Sequence, residues 1–389
     1  MRCSALSTLE SRSLACSKAL MGMTTAVRDA DCVNDLCEST IFVAYWCLCR
    51  CGPARLTLAT VTTRVCVVGA GSWGTTIATL VSQNAATSLW TRRLELAEEI
   101  NSQHLNSAYL GDYVLPAGLE ASVDLERLVK HADVIAMAVP AQGFRHVAQQ
   151  VAKHVAAGVP IMSLSKGLES ETLLRMSEVL ASEMPNNPRA VLSGPNLAHE
   201  ILQGQPAASV VACSDDAVAL QLQELFSRPT FRLYTNRDVI GCEISGVVKN
   251  VIAIAAGISQ GFGFGDNAKA TLVTRGLAEM SRLGVALGAQ PPTFSGLAGM
   301  GDIMATCASM QSRNTQVGVR LGKGESIAAI VGSMNMVAEG VKSSSAVVKL
   351  AQQHGVEMPI AEQVALVCEG TQSAEDSLRA LMSRSSRSE

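Results

Sequence analysis

A doubly wound α/β domain followed by an all-α domain is the fold the sequence predicts, and three observations carry the prediction. From Arg64 onward, short apolar runs alternate with longer amphipathic ones, the pattern of βαβ units laid into a parallel sheet. The turn Gly69-Ala70-Gly71-Ser72-Trp73-Gly74 lies between the first such run, Val65-Cys66-Val67-Val68, and a helical run over residues 73–82. Beyond about Gly241 the strand signal ceases, and apolar residues recur at three-to-four spacing, as at Ile240, Ile244, Val247, Val251 and Ile254.

Each stretch follows from its own residues. Residues 1–63 are rich in Ser, Thr and Cys, have no sustained period, and are expected to be a leader, either disordered or foreign to the working protein. Their apolar patch from Ile41 to Cys47 is far shorter than the roughly 20 residues that span a bilayer. Asp29, Asp31, Asp35 and Glu38 before it argue against a secretory signal. Strands are expected at residues 65–69, 87–91, 133–139, 159–164, 190–193, 208–213 and 231–234, giving a Rossmann-type dinucleotide-binding domain over residues 64–241. Residues 239–287 read as helix, and residues 242–383 as a helical substrate domain broken by glycine-rich stretches. No period of 20–50 residues repeats, so a solenoid is excluded.

Composition narrows the classes of function. A chain of 389 residues exceeds the roughly 250–300 at which one core stops growing, so two domains are expected. With 48% hydrophobic and 17% charged residues it has enough apolar surface to fold. A net charge of -3 gives no general attraction for polyanions, which argues against nucleic-acid binding and leaves anion recognition to a few placed cations. Of twelve cysteines, seven crowd the first segment; the other five, Cys66, Cys213, Cys242, Cys307 and Cys368, are scattered among apolar or small residues, as in a reducing compartment. Cys47, Cys49 and Cys51 lack a completing ligand set, so no metal is expected.

The glycine turn is the strongest single motif. Gly69 permits the tight turn, Gly71 lets backbone approach a pyrophosphate, and Gly74 lets helix and strand pack closely, while the helix start offers free N–H groups. The second strand, where an acidic residue would take the ribose hydroxyl of NAD, ends instead in Arg92-Arg93. Guanidinium forks suit the 2′-phosphate of NADP, so NADP and NAD are the expected cofactors; the alternative at these two positions is a solvated helix start.

Four further segments carry candidate chemistry. Lys166 follows a buried strand and so emerges at the carboxyl end of the sheet, where doubly wound folds bind ligands, unless it is an ordinary surface lysine. Gly194-Pro195-Asn196 closes the next strand, with Asn196 read as a ligand contact, a helix cap, or both. Lys249 lies in the nearly charge-free run from Ile244 to Ile254, where desolvation would favour its neutral form and proton exchange; the bland reading is a snorkelling lysine. Asp302 is an isolated carboxylate after a glycine run, and Ser312-Arg313-Asn314 groups a hydroxyl, a guanidinium and an amide suited to a phosphate monoester.

In order, GAGSWGT, SKGLE, SGPN, EISGVVKNVIAIAAGI, TRGLAEMSRLG, GLAGMGD, QSRN and VAEG resemble the bacterial-type NAD(P)-dependent glycerol-3-phosphate dehydrogenase family over residues 64–383. The resemblance implies interconversion of dihydroxyacetone phosphate and sn-glycerol 3-phosphate for phospholipid synthesis in the cytoplasm. It implies a cofactor site lined by Ser72, Trp73, Arg92, Arg93, Lys166, Ala198, Arg313, Val337 and Glu339. The implied substrate residues are Lys166, Gly194, Asn196, Lys249, Asp302, Ser312, Arg313 and Asn314, with Lys249 the proton acceptor and Lys166 its catalytic partner. Relatives carry Thr or Ser at Asn196, and they begin within a few residues of the first strand. The only partner this implies is the small-molecule substrate, without nucleic acid or stable membrane insertion; a homodimer is left open. A β-hydroxyacid or 6-phosphogluconate type dehydrogenase, and a non-catalytic dinucleotide sensor, are the rival readings.

Overall fold

Residue pattern and structure meet first at β1 (Arg64–Val68), whose Val65, Cys66, Val67 and Val68 are all buried, as a strand covered on both faces requires. The computed structural model describes residues 63–334 and 338–384. The leader expected up to residue 63 lies, but for Thr63, outside the described residues, as does Val337. After β1 come α1 (Ser72–Val81), β2 (Ala86–Trp90), α2 (Leu94–Gln103), α3 (Ser107–Leu110), β3 (Glu120–Ser122), α4 (Leu125–Lys130), β4 (Val134–Met137), α5 (Phe144–Ala152), β5 (Ile161–Ser163), α6 (Met176–Glu183) and β6 (Arg189–Ser193). The remaining strands are β7 (Ala207–Cys213) and β8 (Phe231–Asn236), with α7 (Ala198–Leu202) before β7 and α8 (Asp216–Phe226) between the two.

The eight strands form one sheet in the order β3-β2-β1-β4-β5-β6-β7-β8. Its first six reproduce the doubly wound order, with the switch point between β1 and β4. Two features depart from the sequence expectation. β3 has only three residues, too few to show a period. β7 runs antiparallel to β6, and β8 follows β7. Between β6 and β7 the chain has only the five-residue α7, a helix too short to carry it back along the sheet as a parallel crossover requires.

From Val239 the chain is helical: α9 (Val239–Gly261), α10 (Asp266–Ala286), α11 (Pro291–Phe294), a π turn (Leu297–Gly301), α12 (Asp302–Ala308), α13 (Arg313–Gly322), α14 (Ile327–Gly332), α15 (Glu339–Gln353), α16 (Pro359–Cys368) and α17 (Ala374–Met382). The single helical stretch read over residues 239–287 is thus two helices, divided at Phe262 to Gly265. α9 is apolar and long enough to cross a membrane by composition alone, yet 89% of its most apolar window is buried among its neighbours. It is the rod on which the helical core is built.

Close packing sets the register of α13 on this rod. A Cβ on Gly257 would collide with Thr315 O, and one on Gly318 with Ile254 O, so the two helices touch backbone to backbone. Overpacking such a contact costs about 1–3 kcal/mol. Gly318→Val should lower stability by that amount, read from the urea midpoint; an unchanged midpoint would show that the helices do not meet here.

Candidate functional site

The glycine turn sits at the switch point. Gly69 N donates to Trp90 O (3.0 Å), which ties the turn to the end of β2, and Ala138 N donates to Val68 O (2.8 Å). Gly69 has φ 115°, a left-handed conformation that disfavours a side chain. A Cβ on Gly74 would strike Gly69 O, so the third glycine is required by helix–strand contact, whereas Gly71 faces open space. α1 starts at Ser72 with no side-chain cap and no acidic residue in its first turn. Its N–H groups and positive dipole end are therefore open to an anion.

Around this turn stand residues of two kinds. Trp73, half-buried, packs edge-on against Phe231 at 6.3 Å, and its Nε1 is buried without a protein partner. Arg92 and Arg93 are exposed just beyond β2, with the Arg93 guanidinium 5.4 Å from the Tyr109 ring. Asn106, fully buried, donates from Nδ2 to Ala70 O (3.1 Å) and Thr75 Oγ1 (2.8 Å) and braces the turn from behind.

Across the carboxyl edge of the sheet lies a buried centre of charge. Lys166 Nζ donates to Gly194 O (2.8 Å) and to Asp302 Oδ2 (2.6 Å). Lys249 Nζ lies 3.0 Å from Asp302 Oδ1 and donates to Thr306 Oγ1 (2.7 Å). Thr306 Oγ1 also donates to Asp302 Oδ1 (3.2 Å). Asp302 is therefore no isolated carboxylate, and Lys249 is no unpaired lysine in apolar surroundings: each is the other's partner. Burial pushes the Lys166 ammonium down from 10.5 to about 8, with Asp302 opposing and Lys249 adding to the fall. Burial raises the Asp302 carboxyl, but the two ammonium groups outweigh it and hold it below its ordinary value. Two cations on one carboxylate leave one positive charge unbalanced, which suits an anionic oxygen.

The remaining predicted residues gather beside this centre. Ser312 caps α13, its Oγ accepting from Thr315 N (3.3 Å). Asn314 is committed to the protein: Nδ2 donates to Asn250 Oδ1 (2.9 Å), and Oδ1 accepts from Gly340 N (2.9 Å). Its side chain thus braces α9, α13 and α15. The Arg313 guanidinium is pushed down by burial, with Glu339 and Tyr109 nearby opposing the shift. Glu339 is pushed up by burial, and its Oε2 has no protein partner.

Asn196 does not cap α7; Leu197 holds that position without a side-chain bond, because the rigid Gly194-Pro195 turn sets the helix start one residue later. Both amide atoms of Asn196 are buried and unpartnered, and Ala198 opens α7. The sequence reading missed Thr306, Asn250, Asn106 and Tyr109. Asn250 follows Lys249 in an otherwise apolar helix, and Thr306 lies one helical turn after Asp302, a spacing that puts both on one face.

The donor set fits a dinucleotide with an anionic substrate. An open helix start lies in the glycine turn, and Trp73 Nε1, both amide atoms of Asn196 and Glu339 Oε2 are buried without protein partners. Residues 64–219 match the family model of the NAD-dependent glycerol-3-phosphate dehydrogenase N-terminus, and residues 238–379 that of its C-terminus. The chain is 51% identical over 322 residues to glycerol-3-phosphate dehydrogenase (NAD(P)+) 2 of Sphingopyxis alaskensis, covering 83% of this chain and 97% of that protein. It is 50% identical to the corresponding enzyme of Thermobifida fusca, over 84% of this chain and 98% of that one. The crystal structure of glycerol-3-phosphate dehydrogenase from Coxiella burnetii superposes with a TM-score of 0.80 at 35% identity, covering 83% of this chain and 99% of that one.

The shared carboxylate has a titratable consequence. The Lys166 cation is lost as pH rises through about 8. Asp302→Asn removes the charge that favours the cation, so the alkaline limb of kcat/KM should move to lower pH than in the parent. A limb that stays in place in the pH–rate profile would uncouple Asp302 from Lys166.

Proposed function

The chain belongs to the NAD-dependent glycerol-3-phosphate dehydrogenase family, and from that premise we propose that it interconverts dihydroxyacetone phosphate and sn-glycerol 3-phosphate with NADPH or NADH, supplying glycerol 3-phosphate for phospholipid synthesis. The observation that carries this reading is the Lys166–Asp302–Lys249 centre at the same sheet edge as the glycine turn. We take residues 64–241 as the dinucleotide-binding part and 242–383 as the substrate part, with residues 1–63 dispensable. The scattered free cysteines suit the cytoplasm.

The nicotinamide, when bound, supplies or accepts the hydride at the substrate's central carbon. Everything else falls to the chain. Gly69, Gly71 and Gly74 with the start of α1 hold the pyrophosphate; Ser72, Trp73, Ala198 and Glu339 line the cofactor. Arg92 and Arg93 take the 2′-phosphate of NADP. Arg313 and the N–H groups opening α13, with the Ser312 hydroxyl, hold the substrate phosphate, while Asn314 holds that helix start in place. Gly194 and Asn196 close the other side. In reduction, Lys249 Nζ gives its proton to the substrate oxygen, and Lys166 opposes the negative charge developing there; in oxidation, Lys249 takes the proton back. Asp302 keeps both ammonium groups aimed at that oxygen.

The test is oxidation of NADPH and NADH with dihydroxyacetone phosphate, on the full chain and on one beginning at Val61. Both should turn over; no turnover on either cofactor refutes the reading. Lys249→Ala should lower kcat by about 10²-fold or more, the scale of a lost acid–base group, while cofactor binding measured by fluorescence persists. Arg92→Ala should raise KM for NADPH about 10-fold, as expected for one lost charged hydrogen bond, with KM for NADH steady; equal changes would refute a 2′-phosphate role.

A further inference from the structure

Away from the substrate residues, a second buried ion pair joins the same two parts of the chain. Glu243, one of whose side-chain neighbours is Ser177, lies on α9 six residues before Lys249; its side chain is 4% exposed. It accepts from Arg175 Nη1 (2.6 Å), Ser177 N (2.8 Å) and Ser177 Oγ (2.5 Å). Arg175 uses its second fork nitrogen on Glu178 Oε1 (2.8 Å). Buried ion pairs contribute little net stability, because desolvating both charges cancels most of their attraction. What the pair fixes is position.

The position it fixes is that of the Lys166 loop. Two residues after Lys166 the chain enters a closed excursion, Leu168 to Arg175, whose ends are clasped by an antiparallel bridge between those two residues. Within it Leu173 adopts φ 62°, a left-handed conformation that costs energy for a side-chain-bearing residue and persists only where its surroundings dictate it. Leu168 and Leu173 are buried in the core around α9. Lys166 thus leaves the sheet on a loop whose far end is pinned by Arg175 to the helix that carries Lys249.

We propose that Arg175 and Glu243 are positioning residues for the reaction, setting the Lys166 loop against the Lys249 helix so that both ammonium groups meet one oxygen. The inference rests on the functional reading above. It distinguishes a pair that aligns reacting groups from one that merely joins two elements, because displacements of about 1 Å at a reacting centre cost up to about 10²-fold in rate.

The experiment compares the full-length parent with Arg175→Lys, which keeps the charge and loses the fork, and with the double variant Arg175→Met/Glu243→Leu, which removes both charges. Melting temperature, kcat, and KM for NADPH and for dihydroxyacetone phosphate are measured for each. The expected result is a fall in kcat of about 10-fold or more in both, with KM for NADPH unchanged and the double variant melting at least as high as Arg175→Lys. Parental kcat in both variants overturns the inference, whatever the melting temperatures. So does a loss of kcat in the double variant that tracks a rise in KM for NADPH, which marks general loosening. A parent without turnover refutes the functional reading and the inference with it; a parent with turnover and unimpaired variants refutes the inference alone.

Discussion

One buried carboxylate holds the site together. Asp302 binds Lys166 from the loop after β5 and Lys249 from α9, so its two oxygens join the sheet to the helical core. Either lysine alone in that place would be a costly buried cation, and Asp302 alone a costly buried anion. Together they keep a net positive charge where water is scarce, and the Thr306 hydroxyl completes the arrangement from the same helix face. In the proposed reaction the substrate oxygen would join these four groups as a fifth member, so little would have to reorganise when charge develops.

The supporting structure is organised by the same need. α9 is apolar along most of its length because it is the centre of the helical core, and the partners of Lys249, the Asp302 carboxylate and the Thr306 hydroxyl, are delivered by another helix. Asn250 and Asn314 then link α9 to α13 and, through Gly340, to α15, so polar groups at three helix positions satisfy one another. On the sheet side, Asn106 supports the glycine turn through the Ala70 carbonyl and the first turn of α1 through the Thr75 hydroxyl.

Much of this was legible in the sequence. The strand–glycine turn–helix order was readable because the required geometry permits few residues, and Lys249 stood out because charge is rare in an apolar helix. What could not be read was pairing at a distance. Nothing near Lys249 in sequence announces Asp302, 53 positions later, and the carboxylate looked isolated for the same reason. Asn196 read equally well as a cap, because only the structure shows Leu197 in that place with the amide left unpartnered. The antiparallel return into β7 depends on the reach of a short helix, and β3 on pairing with β2, neither of which leaves a periodic trace.

The glycine contacts between α9 and α13 bear on what the site will accept. Where two helices meet through side chains, substitution can widen or narrow the gap by steps of a methylene group. Here the backbones themselves are the stop, at Gly257 against Thr315 and Gly318 against Ile254. In the proposed reading, where Lys249 and the first N–H groups of α13 hold the two ends of the substrate, the span between them would behave as a rigid gauge. Changes in the pocket lining alter how well a molecule is held, whereas altering the permitted length of the molecule calls for moving one helix along the other.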